Sequence, residues 1–214
     1  MDKSRSGRRG TPGPVFSRLM GEMNTKRLTL RPVVDTDLDA IAWMMTDPEV
    51  CRYIGDGTPR TRDRVAQSVS FARRMWADRG FGPFTIELAE ADSAPRPPDL
   101  ENARFVGVCL LLPIARSGTD PRDFAQRGPE IEIGYWLARD EWGLGYATEA
   151  SGAVLGWARS AEGPALERVI AVTNPAHKAS QRVLEKIGMS KVGMTDAYYD
   201  AETILYEIGS PGQG

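Results

Sequence analysis

Two hydrophobic repeats alternate along the chain and predict strands and helices in mixed order. Apolar residues at every second position are typical of strands, and apolar residues three or four apart are typical of one helix face. The first repeat predicts strands over residues 27–33, Phe84–Leu88, Phe105–Pro113, Ile131–Leu137 and Arg168–Thr173, with a closing hairpin over residues 191–199 and 203–208. The second predicts helices over residues 38–45, from Thr61 to Gly80 and from about Thr148 onward, the first opened by a capping-box spacing of Thr36 and Asp39. These elements predict one α/β or α+β domain, with helices on both faces of a sheet.

The junction between the strand Ile131–Leu137 and the next helix is the most informative part of the sequence. Gly143-Leu144-Gly145 lies between them, and glycine permits positive φ and a close approach of the backbone. Such a turn can direct the free N–H groups at a helix start toward an anion. The pattern favours a site for a phosphate-bearing ligand, with a plain strand-to-helix connection as the alternative.

Two common phosphate loops are excluded by the residues themselves. A P-loop closes with Gly-Lys-Ser/Thr, whereas Gly145 is followed by Tyr146, Ala147 and Thr148. A dinucleotide-binding loop has a third small residue at the helix start, where this chain has Thr148. The sequence is therefore typical of neither a P-loop nucleotidase nor a dehydrogenase.

Two motifs resemble those of the GNAT superfamily of N-acetyltransferases, and more closely those of its RimJ/RimL-like branch. The acetyl-CoA loop of that branch reads I-G-Y-W-L and then W-G-x-G-Y-A-T-E-A, and residues 133–137 and 142–150 read IGYWL and WGLGYATEA. Residues 174–189, NPAHKASQRVLEKIGM, resemble the second motif, a helix with the pattern P-E-N-x-A-S-x-R-V-L-E-K-x-G-F/M. With a weaker match at residues 27–32, the resemblance extends over about residues 24–208.

The resemblance implies a single GNAT-like domain over residues 23–210, a mixed and mostly antiparallel sheet, and acetyl-CoA as the co-substrate. It also implies that acetyl-CoA contacts the strand end, the glycine turn and the second motif. The residues implied are Trp136, Leu137, Trp142, Gly143, Leu144, Gly145, Tyr146, Ala147, Thr148, His177 and Ser180.

Two residues depart from the family pattern. Asp140 stands where the superfamily often has Gln or Arg, and it is expected to point away from the pyrophosphate because a carboxylate would repel it. His177 stands where the branch usually has the Asn that hydrogen-bonds the pantetheine arm. A neutral imidazole can still donate or accept one such bond, so acetyl-CoA binding is expected to survive the exchange.

The chemistry that the resemblance implies is direct acetyl transfer to an amine, without a protein nucleophile. Glu132 is the leading candidate for the general base, and Glu130 shares its face by alternation, with solvent-facing strand carboxylates as the alternative reading of both. A backbone N–H near Trp136 or Leu137 would polarise the thioester carbonyl.

Ser180 carries over from the family as the proton donor to the leaving thiolate, with a helix-start residue that satisfies backbone donors as the alternative reading. Tyr199, its neighbour Tyr198 and His177 are further candidates for this donor.

Only the free energy needed to deprotonate the ammonium group narrows the choice of amine acceptor. At pH 7 a lysine side chain costs about 4.6 kcal/mol to deprotonate and an α-amine about 1 kcal/mol. The base candidates are carboxylates for which the sequence shows no reason for a large upward pKa shift, which favours an α-amine. A protein N-terminus and a small-molecule amine, such as an aminoglycoside, both stay open.

Composition limits the other function classes. A chain of 214 residues, 41% hydrophobic, suits one well-buried domain. The net charge of −2 gives no electrostatic case for nucleic acid, and one histidine with two cysteines, Cys51 and Cys109, offers neither a metal cluster nor a disulfide framework. We expect a cytoplasmic monomer or homodimer with no metal and no membrane partner, and Cys109 in the core.

The first 22 residues form a separate segment, basic and rich in Gly, Pro and Ser. They lack the apolar core of a secretory signal, so residues 1–22 are predicted to be a disordered tail.

The alternative to an acetyltransferase is a protein of another function class, a non-catalytic acyl-CoA-binding regulatory domain. Loss of the glycine turn or of every proton carrier would distinguish it, and the chain retains both.

Overall fold

Eight strands form one sheet in the computed structural model, which describes residues 21–89, 104–120 and 123–209. The strand order is β1-β2-β3-β4-β5-β6-β8-β7, and every neighbouring pair is antiparallel except β5 with β6. The strands are β1 Met23–Asn24, β2 Leu28–Pro32, β3 Phe84–Leu88, β4 Phe105–Pro113, β5 Ile131–Leu137, β6 Arg168–Thr173, β7 Ser190–Thr195 and β8 Thr203–Gly209. The mixed, mostly antiparallel sheet that the sequence predicted is confirmed.

Helices cover both faces of this sheet, as predicted. The α-helices of the described residues are α1 Leu38–Met44, α2 Pro48–Cys51, α3 Arg62–Arg79, α4 Tyr146–Ala158 and α5 Lys178–Lys186. One core cluster joins α1, α2 and the first half of α3 to the sheet, and a second joins α4 and α5 to it. Successive side chains of a strand point to opposite faces, so β5 sends Ile133 to the α4 side and Trp136 to the α1–α3 side.

The ends of α3 follow from its sequence. The Thr61 hydroxyl accepts the N–H of Arg64, and the helix ends at Gly80, whose φ of 70° allows its N–H to donate to the Trp76 carbonyl. Both predicted ends are confirmed.

Three predicted boundaries were wrong. Helix α4 begins at Tyr146, two residues before Thr148, because Gly145 takes φ 86° and turns the chain directly into the helix. Strand β7 stops at Thr195, since a turn carries Tyr198 to a single bridge with Arg116. The first helix does not use Thr36 and Asp39 as its capping box, because the intervening Asp37 accepts the Val34 N–H instead.

Asp37 holds together the first face of the sheet. Its carboxylate is 1% exposed and binds both terminal nitrogens of Arg31, at 2.9 and 2.7 Å, as well as the Thr85 hydroxyl at 2.7 Å. Arg31 also pairs with Glu87 at 2.7 Å. The Arg31 partners lie on β3 and ahead of α1, so one buried ion network fixes α1 against β2 and β3.

Other expectations have mixed outcomes. Cys51 and Cys109 are buried free thiols, and burial raises the pKa of Cys109 to about 12. The predicted tail falls almost wholly outside the described residues. None of the described helices has both the length and the hydropathy to cross a bilayer.

Replacement of Asp37 by Ala should lower the free energy of unfolding by about 3 kcal/mol, because it leaves a half-buried guanidinium with part of its counter-charge missing. Urea unfolding of the variant and the wild type would measure this change in the free energy of unfolding. Asp39→Ala is the matched control, since Asp39 pairs with Arg62 at side-chain exposures of 71% and 61%. That exposed pair should contribute less than about 1 kcal/mol. Equal effects of the two substitutions would contradict the assignment.

Candidate active site

A gap between β5 and β6 is the main feature of the site. The two strands pair at one position in register, Glu132 with Ile170, although β5 continues to Leu137. Beyond that position β5 stays paired with β4, and β6 stays paired with β8. The edge of β5 that faces β6 therefore has no ladder partner after Glu132.

The alternation of hydrogen bonds shows which β5 groups face the gap. The Ile114 N–H donates to the Glu130 carbonyl at 3.0 Å, and the Ala138 N–H donates to the Val106 carbonyl at 2.9 Å. Bonded pairs recur at every second residue of an antiparallel ladder, so the N–H groups of Glu132, Gly134 and Trp136 also point to β4. The N–H groups of Tyr135 and Leu137 consequently point into the gap, whereas the Ile133 N–H faces Ile170 in the single bridge of β5 with β6. This geometry favours Leu137 over Trp136 as a backbone donor there.

The glycine turn lies at the end of this gap. Gly143 and Gly145 have φ of 77° and 86°, conformations that L side chains rarely adopt. A Cβ at Gly143 would meet no heavy atom within 4 Å, so the turn leaves open space. The first intrahelical bond runs from Glu149 to Gly145, which leaves the N–H groups of residues 146–148 at the free helix start. The predicted turn residues are thus together, in a geometry that fits a diphosphate.

Side chains from the first strands brace the turn. Arg27 binds the Glu149 carboxylate through its side chain and its backbone N–H, and it donates to the Leu144 carbonyl at 2.9 Å. The Thr25 hydroxyl donates to Glu149 at 2.6 Å. The Arg27 guanidinium also lies 4.5 Å from the centre of the Tyr146 ring. Sequence reasoning did not identify this brace, and its signal was the weak motif match at residues 27–32.

Trp142 and Asp140 flank the turn. The Trp142 indole N–H donates to the Leu137 carbonyl at 2.9 Å, which joins the turn to the end of β5, while 46% of the side chain remains exposed. Asp140 is exposed in a short 3-10 turn over Arg139–Glu141.

The start of α5 borders the gap on the α4 side. The Ser180 Oγ lies 3.0 Å from the Tyr135 hydroxyl, which also donates to the Ser180 carbonyl at 3.1 Å. His177 precedes the helix, and its ring stacks on Tyr53 at 4.4 Å between centroids. Burial lowers the pKa of His177, so its imidazole is neutral at neutral pH. Tyr135 and Tyr53 were missed as site residues because neither belongs to a polar pattern.

Glu132 lies on the opposite face of β5 and is 8% exposed. The Tyr199 hydroxyl donates to its carboxylate. Burial raises the pKa of Glu132 to about 7, although the Tyr199 hydrogen bond and the charge of Arg127 oppose the shift. Burial and the Glu132 charge raise the pKa of Tyr199 well above its ordinary value, so the phenol keeps its proton. The expectation that no carboxylate here has a large upward pKa shift was wrong, because the fold buries the Glu132 carboxyl.

Glu130 shares the face of Glu132, as predicted, but it has a different environment. Its carboxylate binds Arg168 and Arg116, both at 2.9 Å, and the Tyr198 hydroxyl at about the same distance. Burial raises the pKa of Glu130, but these hydrogen bonds and charges outweigh it and lower the pKa below its ordinary value. Glu130 is therefore a fixed anion, and Glu132 is the carboxylate that can exchange a proton near neutral pH.

The segment between α2 and α3 lies over the face of β5 that carries Glu132, and the space between them is called the cleft. Glu132, Gly134 and Trp136 follow one another on this face, and the Arg60 guanidinium lies 5.1 Å from the centre of the Trp136 ring. A separate surface cavity of about 580 Å³ lies beside the start of α3, lined by Thr61, Asp63, Arg64, Gln67, Asp120 and Asp123. No predicted site residue lines that cavity. In the part of the chain that the structure describes, no cluster of metal-ligating side chains is present.

Comparisons with known sequences agree with this geometry. The family model for the acetyltransferase (GNAT) domain matches residues 27–190. The chain is 30% identical to the protein YkkB of Bacillus subtilis over 166 residues, 77% of this chain and 83% of YkkB. It is 28% identical to the N-acetyltransferase YoaA of the same bacterium over 190 residues, 88% of this chain and 90% of YoaA.

Solved structures share the fold. An acetyltransferase from Agrobacterium tumefaciens superposes with a TM-score of 0.67 at 24% identity, over 94% of this chain and 100% of that one. RimJ of Mycobacterium smegmatis, solved with a CoA disulfide, has a TM-score of 0.61 at 22% identity, over 92% and 86% of the two chains. The aminoglycoside acetyltransferase AAC(6')-Ib, solved with coenzyme A, has a TM-score of 0.62 at 16% identity, over 86% and 95%.

The family match covers more than half of the chain and includes both sequence motifs, the gap in the sheet and the glycine turn at its end. The RimJ neighbour shares the fold of this chain. The chain belongs to the GNAT family of acetyltransferases, and it is an N-acetyltransferase enzyme.

Proposed function

We propose that this enzyme transfers an acetyl group from acetyl-CoA directly to a primary amine, with Glu132 as the general base. One observation carries the proposal. A buried carboxyl with a pKa of about 7 lies beside a gap that is lined by backbone donors and ends at an anion-binding turn. The two structural neighbours solved with forms of coenzyme A support acetyl-CoA as the donor substrate.

The residues at the gap would bind acetyl-CoA along its length. The turn from Trp142 to Thr148 would hold the pyrophosphate on backbone N–H groups, with the helix dipole of α4 behind it. The pantetheine arm would lie in the gap, where the N–H group of Tyr135 has no ladder partner and His177 lies at the start of α5. The Leu137 N–H is the proposed donor to the thioester carbonyl, in preference to Trp136.

The proposed reaction needs a base on one side of the gap and an acid on the other. Glu132 removes a proton from the ammonium, directly or through one water, and the amine nitrogen then attacks the thioester carbon. As the bond from carbon to sulfur breaks and the carbonyl re-forms, the former amine nitrogen releases its second proton to water and becomes a neutral amide nitrogen. The leaving thiolate takes a proton from Ser180, whose hydroxyl is linked to Tyr135, and Ser180 regains a proton from water. Tyr199 remains a hydrogen-bond donor to Glu132 rather than the acid, because its proton is held firmly.

The pKa of Glu132 bears on the acceptor. A base with a pKa of about 7 takes a proton from an α-amine near 7.8 at a cost of about 1 kcal/mol, and from a lysine near 10.4 at about 4.6 kcal/mol. The small difference between the pKa of Glu132 and that of an α-amine supports an α-amine as the acceptor, on either a protein N-terminus or a small molecule. Assay of thiol release with N-terminal peptides, polyamines and aminoglycosides would test this, and acetyl-CoA binding without turnover on any of them would favour a regulatory acyl-CoA-binding domain.

Gly143→Val and Gly145→Val should each weaken acetyl-CoA binding by about 10-fold or more, because a branched side chain cannot hold the left-handed turn that directs the N–H groups. Calorimetric titration with acetyl-CoA would measure this. Gly80→Val is the matched control, since Gly80 has φ 70° and open space but caps α3. It should lower stability and leave the affinity unchanged. Full affinity in both loop variants would remove the turn as the phosphate site.

Glu132→Gln should lower kcat by about 100-fold with little change in acetyl-CoA affinity, because an amide cannot accept the proton. In the wild type, kcat should rise with pH through about 7 as Glu132 loses its proton, and this limb should be absent from the variant. Rates at saturating substrates over pH 5.5–9 would show it. An unchanged rate would exclude Glu132 as the base.

The same substitution has a stability signature. A raised pKa in the folded state stabilises the protein at low pH, and this contribution is lost as pH rises through about 7. Between pH 5 and 8.5, Glu132→Gln should therefore gain stability relative to the wild type, on the order of 2 kcal/mol. Glu130→Gln should show almost no such change over this range, since its lowered pKa confines the loss of its contribution to pH values below about 4.5. Urea unfolding of both variants and the wild type at the two pH values would measure this, and equal shifts in the two variants would contradict the assignment.

A further inference from the structure

Arg60 differs from the other arginines on its side of the sheet. Arg31, Arg62 and Arg73 each form an ion pair with an aspartate, at 2.5 to 2.7 Å. Over residues 21–89, 104–120 and 123–209, Arg60 has no carboxylate within ion-pair distance. The exposed carboxylate of Asp56 is nearby, but it accepts the N–H and the hydroxyl of Thr58.

The position of Arg60 is fixed by its surroundings. Its backbone N–H donates to the Met45 carbonyl at 3.0 Å, and its guanidinium lies over the Trp136 ring. The side chain is half-buried, and burial lowers the pKa of its guanidinium. Arg64 and Arg127 add like charge in the vicinity. A half-buried cation in this environment is costly unless an anion binds it.

Arg60 faces the same cleft as the proposed base. Trp136 lies four residues after Glu132 on the same strand face, a separation of roughly 13 Å, and Gly134 lies midway. The side chain missing at Gly134 leaves room between them, since a Cβ there would meet only Leu110, at 3.6 Å or more. An acceptor with its amine between Glu132 and Gly134 would therefore extend toward Arg60.

We propose that Arg60 binds a carboxylate of the acceptor, carried roughly 7–13 Å from the amine that is acetylated. The inference rests on the proposed function and names its substrate class. The α-carboxylate of a free amino acid is only about 2.5 Å from the amine nitrogen, which is too close. A peptide N-terminus with an acidic second residue, or a longer ω-amino acid, has the required reach. A guanidinium over an indole ring can still donate its N–H groups to such a carboxylate.

The experiment compares matched acceptors in four proteins. The peptide acceptors are tetrapeptide amides that begin with Ala and carry Glu, Gln or Lys as the second residue, and the small acceptors are ε-aminocaproate and hexylamine. The proteins are the wild type, Arg60→Met, Arg60→Lys and the control Arg62→Met, which removes a paired, exposed arginine two residues along. The readouts are kcat/KM for each acceptor and acetyl-CoA affinity by calorimetry.

The wild type should prefer the Glu peptide over the Gln peptide by about 10- to 100-fold, with the Lys peptide poorest. Arg60→Met should abolish this preference without changing acetyl-CoA affinity, whereas Arg60→Lys and Arg62→Met should retain it. A matching preference for ε-aminocaproate over hexylamine would extend the class to small acids, and its absence would restrict the class to peptides.

Two results would overturn the assignment of Arg60. One is an unchanged preference in Arg60→Met, and the other is an equal loss for every acceptor, which would make Arg60 a packing partner of Trp136. Equal turnover of neutral and acidic acceptors by the wild type would contradict the proposed anion site and would still agree with the proposed acetyl transfer. Binding of acetyl-CoA with no turnover of any amine would contradict both the proposed acetyl transfer and the proposed anion site.

Discussion

The parallel contact between β5 and β6 at Glu132 and Ile170 is the constraint on which the site depends. A continued ladder would hold the strands about 4.8 Å apart and use the N–H groups of Tyr135 and Leu137. The strands diverge instead, and the sheet keeps its order because β4 pairs with the whole of β5 and β8 with the whole of β6. Backbone donors left in a gap are costly when dry, so the gap suits a ligand that is rich in carbonyl and amide groups.

The divergence also separates two chemical environments on one strand. Tyr135 and Ser180 lie on the α4 side of β5, whereas Glu132 and Tyr199 lie on the other side. Glu130 and Glu132 are two residues apart on the same face and have opposite pKa shifts, because three donors bind the first and burial dominates the second. Burial rather than residue type thus determines which carboxyl titrates near neutral pH.

Sequence reasoning predicted the fold and the glycine turn, because each depends on local periodicity or on a contiguous motif. The choice of Glu132 as base came from the family resemblance and stays a proposal. Sequence reasoning missed interactions between distant segments. Arg27 meets Glu149 across 122 residues, and Tyr199 meets Glu132 across 67. The helix start at Tyr146 was missed by two residues because the left-handed Gly145 replaces a side-chain cap. Arg60 carried no signal, since an arginine before a helix is ordinarily a solvated residue, and only its place over Trp136 distinguishes it.

The segment between α2 and α3 reaches both sides of the site. Tyr53 stacks on His177 at the start of α5, and Arg60 lies over Trp136 in the cleft beside Glu132. The sheet and the glycine turn are held by backbone pairing and by buried ions such as Asp37, whereas this segment is held mainly by side-chain contacts and a few turns. Residues on such a segment can change with little cost to the core, because the scaffold beneath them is independently stable. On the proposed assignments, donor binding would therefore depend on the sheet and the glycine turn, and acceptor selectivity would depend on Arg60 in the segment of residues 52–61.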